Sequence, residues 1–196
     1  GMNLYSRFEL VEPEWRYLVD PEVPSIRTGL ELPDGKLVHF YGVHPRPPGL
    51  KRPEINGREA STQRDAELVM VAKEIARIRA PVIVAGDFND VAWSHTTRLF
   101  QRISRLLDPR VGRGLFNSYG AQSIMMRCPV DHVFHSDHFK LAEIKRLRAF
   151  GSDHYPIFIS LCLERGAEAE QEAPREKPGD HQEAREMARR PAEKEG

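Results

Sequence analysis

Polar residues stand where the apolar runs of this chain stop. His44 follows Phe40-Tyr41-Gly42-Val43, Asp87 and Asn89 follow Val82-Ile83-Val84-Ala85-Gly86, Asp131 interrupts Pro129 to Phe134, and Asp153 and His154 come just before Tyr155-Pro156-Ile157. A carboxylate or imidazole carried into an apolar layer loses hydration, a loss tolerated where the group is paired or used. In α/β sheets ligand sites gather at strand ends, so carboxylates and histidines arriving there from separate strands are expected to converge on one site. The inventory limits the chemistry. Asp and Asn oxygens suit Mg²⁺, which takes oxygen ligands, keeps waters and completes its shell on substrate phosphate. A histidine held by a carboxylate suits proton transfer.

Such residues need strands and helices to position them, and the hydrophobic pattern contains both. Ile26, Thr28, Leu30 and Leu32 alternate with polar residues up to Pro33-Asp34-Gly35, and Leu37 to Val43 alternates again, which predicts a β-hairpin. Residues 44–61 form a Pro- and Gly-rich stretch longer than most connections, as functional loops often are. Thr62 with Asp65 reads as a capping box opening a helix that carries Leu68, Val71, Ala72, Ile75 and Ile78 on one face and ends by Pro81. Val82 to Ala85 lacks polar alternation and fits a strand buried on both faces. A second helix places Leu99, Ile103, Leu106 and Leu107 on one stripe, with Arg98, Arg102 and Arg105 on a solvated face. Val130 to Phe134 and the alternating Ile157, Ile159, Leu161 and Leu163 are further strands. Hairpins mixed with helical crossovers predict a layered α/β (α+β) domain over residues 1–165.

The chain has 196 residues, with 29 Lys and Arg balancing 29 Asp and Glu. The balance is uneven, because residues 166–196 hold nine acids against six bases and residues 1–165 hold 20 acids against 23 bases. So weakly basic a body lacks the field of a non-specific DNA binder; charge allows nucleic acid without indicating it. Residues 166–196 contain no aromatic and no Val, Ile or Leu, too little apolar surface to offset the entropy of ordering. A disordered charged tail is expected there, with at most transient helix around Gln182 to Arg190. No run approaches the roughly eighteen apolar residues that span a membrane, and GMNLYSRFEL lacks the basic and apolar regions of a signal peptide. The segment as given is expected to be soluble. Cys128 and Cys162 are too few for a disulfide framework and read as small core or near-core residues.

Four motifs in register carry a resemblance: His44 ending a strand, GDFN (Gly86 to Asn89), VDHVF (Val130 to Phe134) and GSDHYP (Gly151 to Pro156), with SRFEL (Ser6 to Leu10) as an early strand. Together they resemble the endonuclease/exonuclease/phosphatase superfamily, the DNase I-like fold, over residues 2–164. The resemblance implies a four-layer α/β sandwich, here incomplete at its N-terminus. It also implies hydrolysis of a phosphodiester or phosphomonoester, nuclease activity included, by Mg²⁺- or Mn²⁺-assisted attack of water. On that reading Asp87 orients or activates the water and Asn89 helps hold the phosphate, both offering oxygen to the metal. His154 is the base or the phosphate-stabilising imidazole, Asp131 its carboxylate partner, Asp153 a metal or metal-water ligand, and His44 a further phosphate contact. Nucleic acid, an inositol phosphate and a phospholipid headgroup all remain open as substrates.

The resemblance implies that the family's principal Asn and Glu metal ligands precede its early strand, so they are expected to be missing from this segment. Members sharing DVAWSHTTRLF (Asp90 to Phe100) and FGSDHYPIF look like bacterial proteins with membrane-spanning segments ahead of the domain, so a membrane-anchored parent is expected. The rival expectation is an inactive phosphoesterase-fold fragment that binds or dimerises through exposed sheet edges.

Each residue also has a purely structural reading. A lone GDxN after a strand reads as an Asx turn capping the next helix. Asp131 and His132 read as an edge-strand pair facing solvent. His132, His135 and His138 suggest zinc until strand spacing is applied, which puts 132 and 135 on opposite faces. Trp93 and His95 read as packing and capping residues. Arg46, in the Pro-rich loop, is the basic residue best placed to meet a phosphate.

Overall fold

The computed structural model describes residues 2–48, 57–122 and 127–191. Five strands form one sheet in chain order: β1 (Glu9–Arg16), β2 (Ser25–Glu31), β3 (Leu37–Val43), β4 (Val82–Asp87) and β5 (Asp131–His135). β6 (Phe139–Arg146) and β7 (Ile157–Leu163) pair antiparallel as a second, two-stranded sheet. The helices are α1 (Gly57–Ile75), α2 (His95–Ser104) and α3 (Asp180–Arg189), with one 3₁₀ turn at Ala167–Ala169. The chain is the layered α/β protein that its patterning predicts.

The β2–β3 hairpin turns at Gly35, whose φ of 78° suits a residue without Cβ, and pairs Thr28 with Phe40 and Leu30 with Val38. α1 then crosses over to bring β4 parallel to β3. Its apolar stripe of Leu68, Val71, Ala72 and Ile75 packs with Tyr41, Val43, Val82 and Val84 of the sheet, and Leu99, Phe100 and Ile103 of α2 join the same core. Phe88 fills the centre, with its ring edge-on to Phe100 at 5.1 Å and to Phe134 at 5.4 Å.

Several elements differ from expectation. α1 begins at Gly57, inside the stretch expected to be loop, so Thr62 and Asp65 lie within the helix rather than at its start, and Asp65 pairs with its neighbour Arg64. Residues 49–56 of that stretch lie outside the described residues. α2 stops at Ser104 because Arg105 turns left-handed, with φ 60°, which leaves Leu106 and Leu107 beyond it. β1 and β6 each contain a register shift, between Val11 and Glu14 and between Leu141 and Glu143. A bulge of this kind breaks the two-residue period, which is why the pattern does not announce either strand. Cys162 is exposed and Cys128 half-buried, so neither is a core residue.

The largest correction concerns the expected disordered tail. α3 packs against α1 and α2 and sends Ala184 and Met187 into the main core. Asp180 receives a two-pronged hydrogen bond from Arg102 at 2.7 and 2.8 Å, so Arg102 is not on a solvated face. Two buried apolar residues and one fork-shaped ion pair do here what a hydrophobic stripe does elsewhere. Among the described residues no helix is long and apolar enough to cross a membrane.

Candidate active site

β3 and β4 are parallel neighbours, so their C-terminal ends bring His44 and Asp87 to the same edge of the sheet. β5 runs against β4 with Asp131 directly opposite Asp87. Gly86 makes this approach possible, since a Cβ there would stand 1.8 Å from the Val43 carbonyl oxygen. His154 enters from the segment before β7, bridged to Tyr119.

His154 Nδ1 lies 2.7 Å from Asp131 Oδ2. A carboxylate accepts, so Nδ1 carries a proton and donates it, and Nε2 is left to react. That nitrogen faces Asp87 Oδ2 at 3.8 Å, and His44 Nε2 stands 3.9 Å from the same oxygen. Asp87, Asp131 and His154 each present a ligand atom within 4.8 Å of the others.

Burial, and after it the charge of Asp131, push the Asp87 carboxyl above the ordinary carboxylate range. The Asn89 N–H and the two histidines oppose this without cancelling it. For His154, burial works against the charged form, but the hydrogen bond to Asp131 and the charges of Asp131, Asp87 and Asp153 outweigh it and raise its pKa. The site thus pairs a carboxylate of raised proton affinity with an imidazole that favours its charge, a combination suited to moving a proton and stabilising an anion.

Asp87 Oδ1 accepts the Asn89 N–H at 2.8 Å and Asp131 Oδ2 accepts from His154, so Asp87 Oδ2 and Asp131 Oδ1 are the oxygens these bonds leave over. Two mutually repelling carboxylate oxygens at a strand edge fit a divalent cation that retains several waters.

Asn89 sits in a left-handed turn at φ 50°, with its backbone N–H on Asp87 and its side-chain amide donating to the Pro45 carbonyl at 3.0 Å. The Asx-turn reading and the site reading therefore describe the same residue. Asp153 departs from expectation: it is exposed, its carbonyl accepts from the Gly120 and Ala121 N–H groups, and it stands outside the Asp87, Asp131 and His154 group. Arg46 is taken up by Asp20, which it meets through Nε at 2.5 Å, and by Glu22, rather than waiting for a phosphate. His132 is 1% exposed, not a solvent-facing edge residue. Burial and then the charge of Arg110 push its pKa down to about 3, so it stays neutral. His95 bonds Glu183 at 2.6 Å, and Trp93 is half-exposed.

Two residues of the site escaped the sequence reading. Buried Ser118 accepts the Asp131 N–H at its hydroxyl, 3.0 Å, and the Tyr155 N–H at its carbonyl, 2.6 Å, stitching the two halves of the Asp131–His154 pair together. Tyr119 presents its ring edge-on to His154 at 5.1 Å. Both lie in an irregular stretch with no periodicity to read. Beside the pair a cavity of about 340 Å³ is lined by Ala85, Val133, Phe150 and Ile157 as well as by Asp131 and His154.

The Endonuclease/Exonuclease/phosphatase family model matches residues 1–154. A UPF0294 protein of Vibrio campbellii is 24% identical over 133 residues, which cover 68% of this chain and 43% of the relative. Among solved structures, an endonuclease/exonuclease/phosphatase from Beutenbergia cavernae is similar with a TM-score of 0.62 at 19% identity, covering 81% of this chain and 46% of that one. A mannosyl-6-phosphatase of Bacteroides thetaiotaomicron gives 0.55 at 20% identity, covering 79% and 67%. The chain thus spans less than half the length of the first two, and the structural likenesses show a shared DNase I-like fold.

Proposed function

Because the chain belongs to the Endonuclease/Exonuclease/phosphatase family, whose members are hydrolases of phosphoester bonds, we propose that it hydrolyses a phosphomonoester or phosphodiester by direct attack of water, with a divalent cation, Mg²⁺ or Mn²⁺, at Asp87 and Asp131. Family members generally depend on a metal. The observation that carries the proposal is the line of three groups in which Asp131 holds His154 at 2.7 Å while His154 Nε2 faces Asp87 at 3.8 Å.

Asp87, facing the attacking water, accepts its proton as the water oxygen forms the new bond to phosphorus and the bond to the leaving oxygen breaks. His154, kept in the Nδ1–H tautomer by Asp131 and favouring its charge, stabilises the negative charge that gathers on the phosphoryl oxygens. His44 and the Asn89 turn flank the phosphate. A bound cation would neutralise phosphate charge as a Lewis acid. Asp153 acts at a distance, through its charge on His154.

The mannosyl-6-phosphatase neighbour makes a phosphomonoester the first substrate to try. The test is p-nitrophenol release from p-nitrophenyl phosphate and bis(p-nitrophenyl) phosphate by the chain with Mg²⁺, Mn²⁺ or EDTA. Release that requires a divalent ion and falls by about 100-fold in Asp87→Ala is expected. No release from either ester with either metal would contradict the proposal.

A second reading, a binding or dimerising module, is favoured by one observation. Among the described residues β1 is an edge strand of its sheet, and Trp15 within it and Tyr17 just after it are each 56% exposed. Concentration-dependent sedimentation together with a silent phosphate assay would favour it.

A further inference from the structure

We propose that Arg64 and His132 are positioning residues, which clamp two successive carbonyls of the 86–90 turn and so fix the aim of Asp87 and Asn89; the assignment rests on reading that turn as catalytic. The turn needs holding. Asn89 has a φ of 50°, a region that residues with a Cβ enter reluctantly, and the local bond within the turn is the single Asn89 N–H to Asp87 Oδ1 contact at 2.8 Å.

From α1, Arg64 Nη1 donates to the Asn89 carbonyl at 2.9 Å. Its Nε and Nη2 both donate to Asp65 Oδ1, at 2.9 and 2.7 Å, which fixes the plane of the guanidinium. From the other side, on β5, His132 Nε2 lies 2.9 Å from the carbonyl of Asp90. Arg110 Nη2 stands 2.6 Å from His132 Nδ1 and can only donate, so Nδ1 accepts and Nε2 carries the proton that the Asp90 carbonyl receives. Arg110 is aligned in turn by Asp108, through Nε and Nη2 at 2.8 Å each. The imidazole is wedged between Phe88 and Phe134, with ring centroids 4.8 and 5.2 Å away.

Stability alone gives little reason for this array. A buried ion pair often contributes less than apolar residues of the same shape, and Arg110 Nη1 is buried with no hydrogen-bond partner among the described residues. What the array does provide is direction: a relay from Asp108 through Arg110 and His132 that ends on the backbone three residues after Asp87. The Arg64 clamp meets the residue before. Held at both carbonyls, the turn cannot rotate its peptide planes without breaking one bond or the other.

Amide hydrogen exchange of the chain, followed by NMR, reads the clamp without any need for activity. Arg64→Met and His132→Leu should each speed exchange of the Asn89 N–H at least tenfold while the amides of Val82 to Ala85 exchange as in the wild type. Arg64→Lys and His132→Gln, which restore a donor near the same carbonyl, should recover most of the protection. Wild-type exchange at Asn89 in Arg64→Met, or a Gln variant no better than Leu at position 132, would overturn the proposal, the second because packing rather than the hydrogen bond would then be responsible. Where the wild type releases phosphate, the Met and Leu variants should lower kcat tenfold or more with KM near its original value, and an unchanged kcat beside faster exchange would also overturn it. A wild type that releases none would count against the phosphoesterase reading, while the exchange data still decide the clamp.

Discussion

Glu67 lies on α1 with 2% of its surface exposed, and its Oε1 meets no hydrogen-bond partner among the described residues. Burial, then the charge of Asp20, raises its pKa from 4.5 to about 7, with Arg16 opposing. The folded state therefore holds this proton more tightly than the unfolded chain does, so stability is full below the unfolded pKa and is lost as pH rises through the folded one. Glu67→Gln removes the titration. Thermal denaturation should find the variant and wild type alike near pH 4.5 and the variant more stable at pH 8, by on the order of 3 kcal/mol at most. A stability gap that does not change with pH would mean that Glu67 finds a counter-charge. Asp87 shares the same physics but faces His154 and His44, so its burial serves a site rather than only burdening the fold. At this scale the spatial convergence of His44, Asp87, Asp131 and His154 was legible because each polar residue ends or interrupts an apolar run. It failed where the partner is remote in sequence: Arg46 with Asp20, Arg64 with the Asn89 carbonyl, and Ser118 with Asp131.

Among the elements, α3 is the one that composition misplaced. Its apolar content is Ala184 and Met187 in the core and Ala188 packed against it, so no hydrophobic pattern marked it. Its docking depends on Asp180, whose carboxyl is held below its ordinary range by the hydrogen bonds from Arg102, against burial, and which also accepts the Lys177 N–H at 2.8 Å. Removing one partner of a buried pair leaves the other uncompensated, a loss of about 3–5 kcal/mol in well-buried cases. Asp180→Ala should therefore release α3 while the sheet stays folded, and trypsin should cleave at Arg185 and Arg189 at least ten times faster than in the wild type. Equal cleavage rates would show that Ala184 and Met187 hold the helix by themselves. β6, and β1 beyond the Leu10 end of SRFEL, were hidden for another reason: a bulged strand has no constant period, and each needs its neighbour to define its register.

For the molecule as a whole, the site is a product of topology. A parallel β3–β4 pair sets His44 beside Asp87, an antiparallel β5 sets Asp131 opposite, and a segment more than twenty residues further on returns His154 to Asp131. The convergence of strand ends was legible because α/β sheets place sites there; Asp153 was not separable from His154 in sequence, because adjacent residues before a strand point apart only once the backbone path is known. The central claim, that Asp131 and His154 act as one catalytic unit facing Asp87, is tested most directly by a double-mutant cycle on metal-dependent phosphate release. At saturating metal, Asp131→Asn, which keeps an oxygen for the cation, should lower kcat with little change in KM, His154→Ala should lower it at least as much, by about 100-fold or more, and the double variant should be within about threefold of His154→Ala alone. Losses that multiply in the double variant would contradict the account, since the two residues would then work separately despite the 2.7 Å between them.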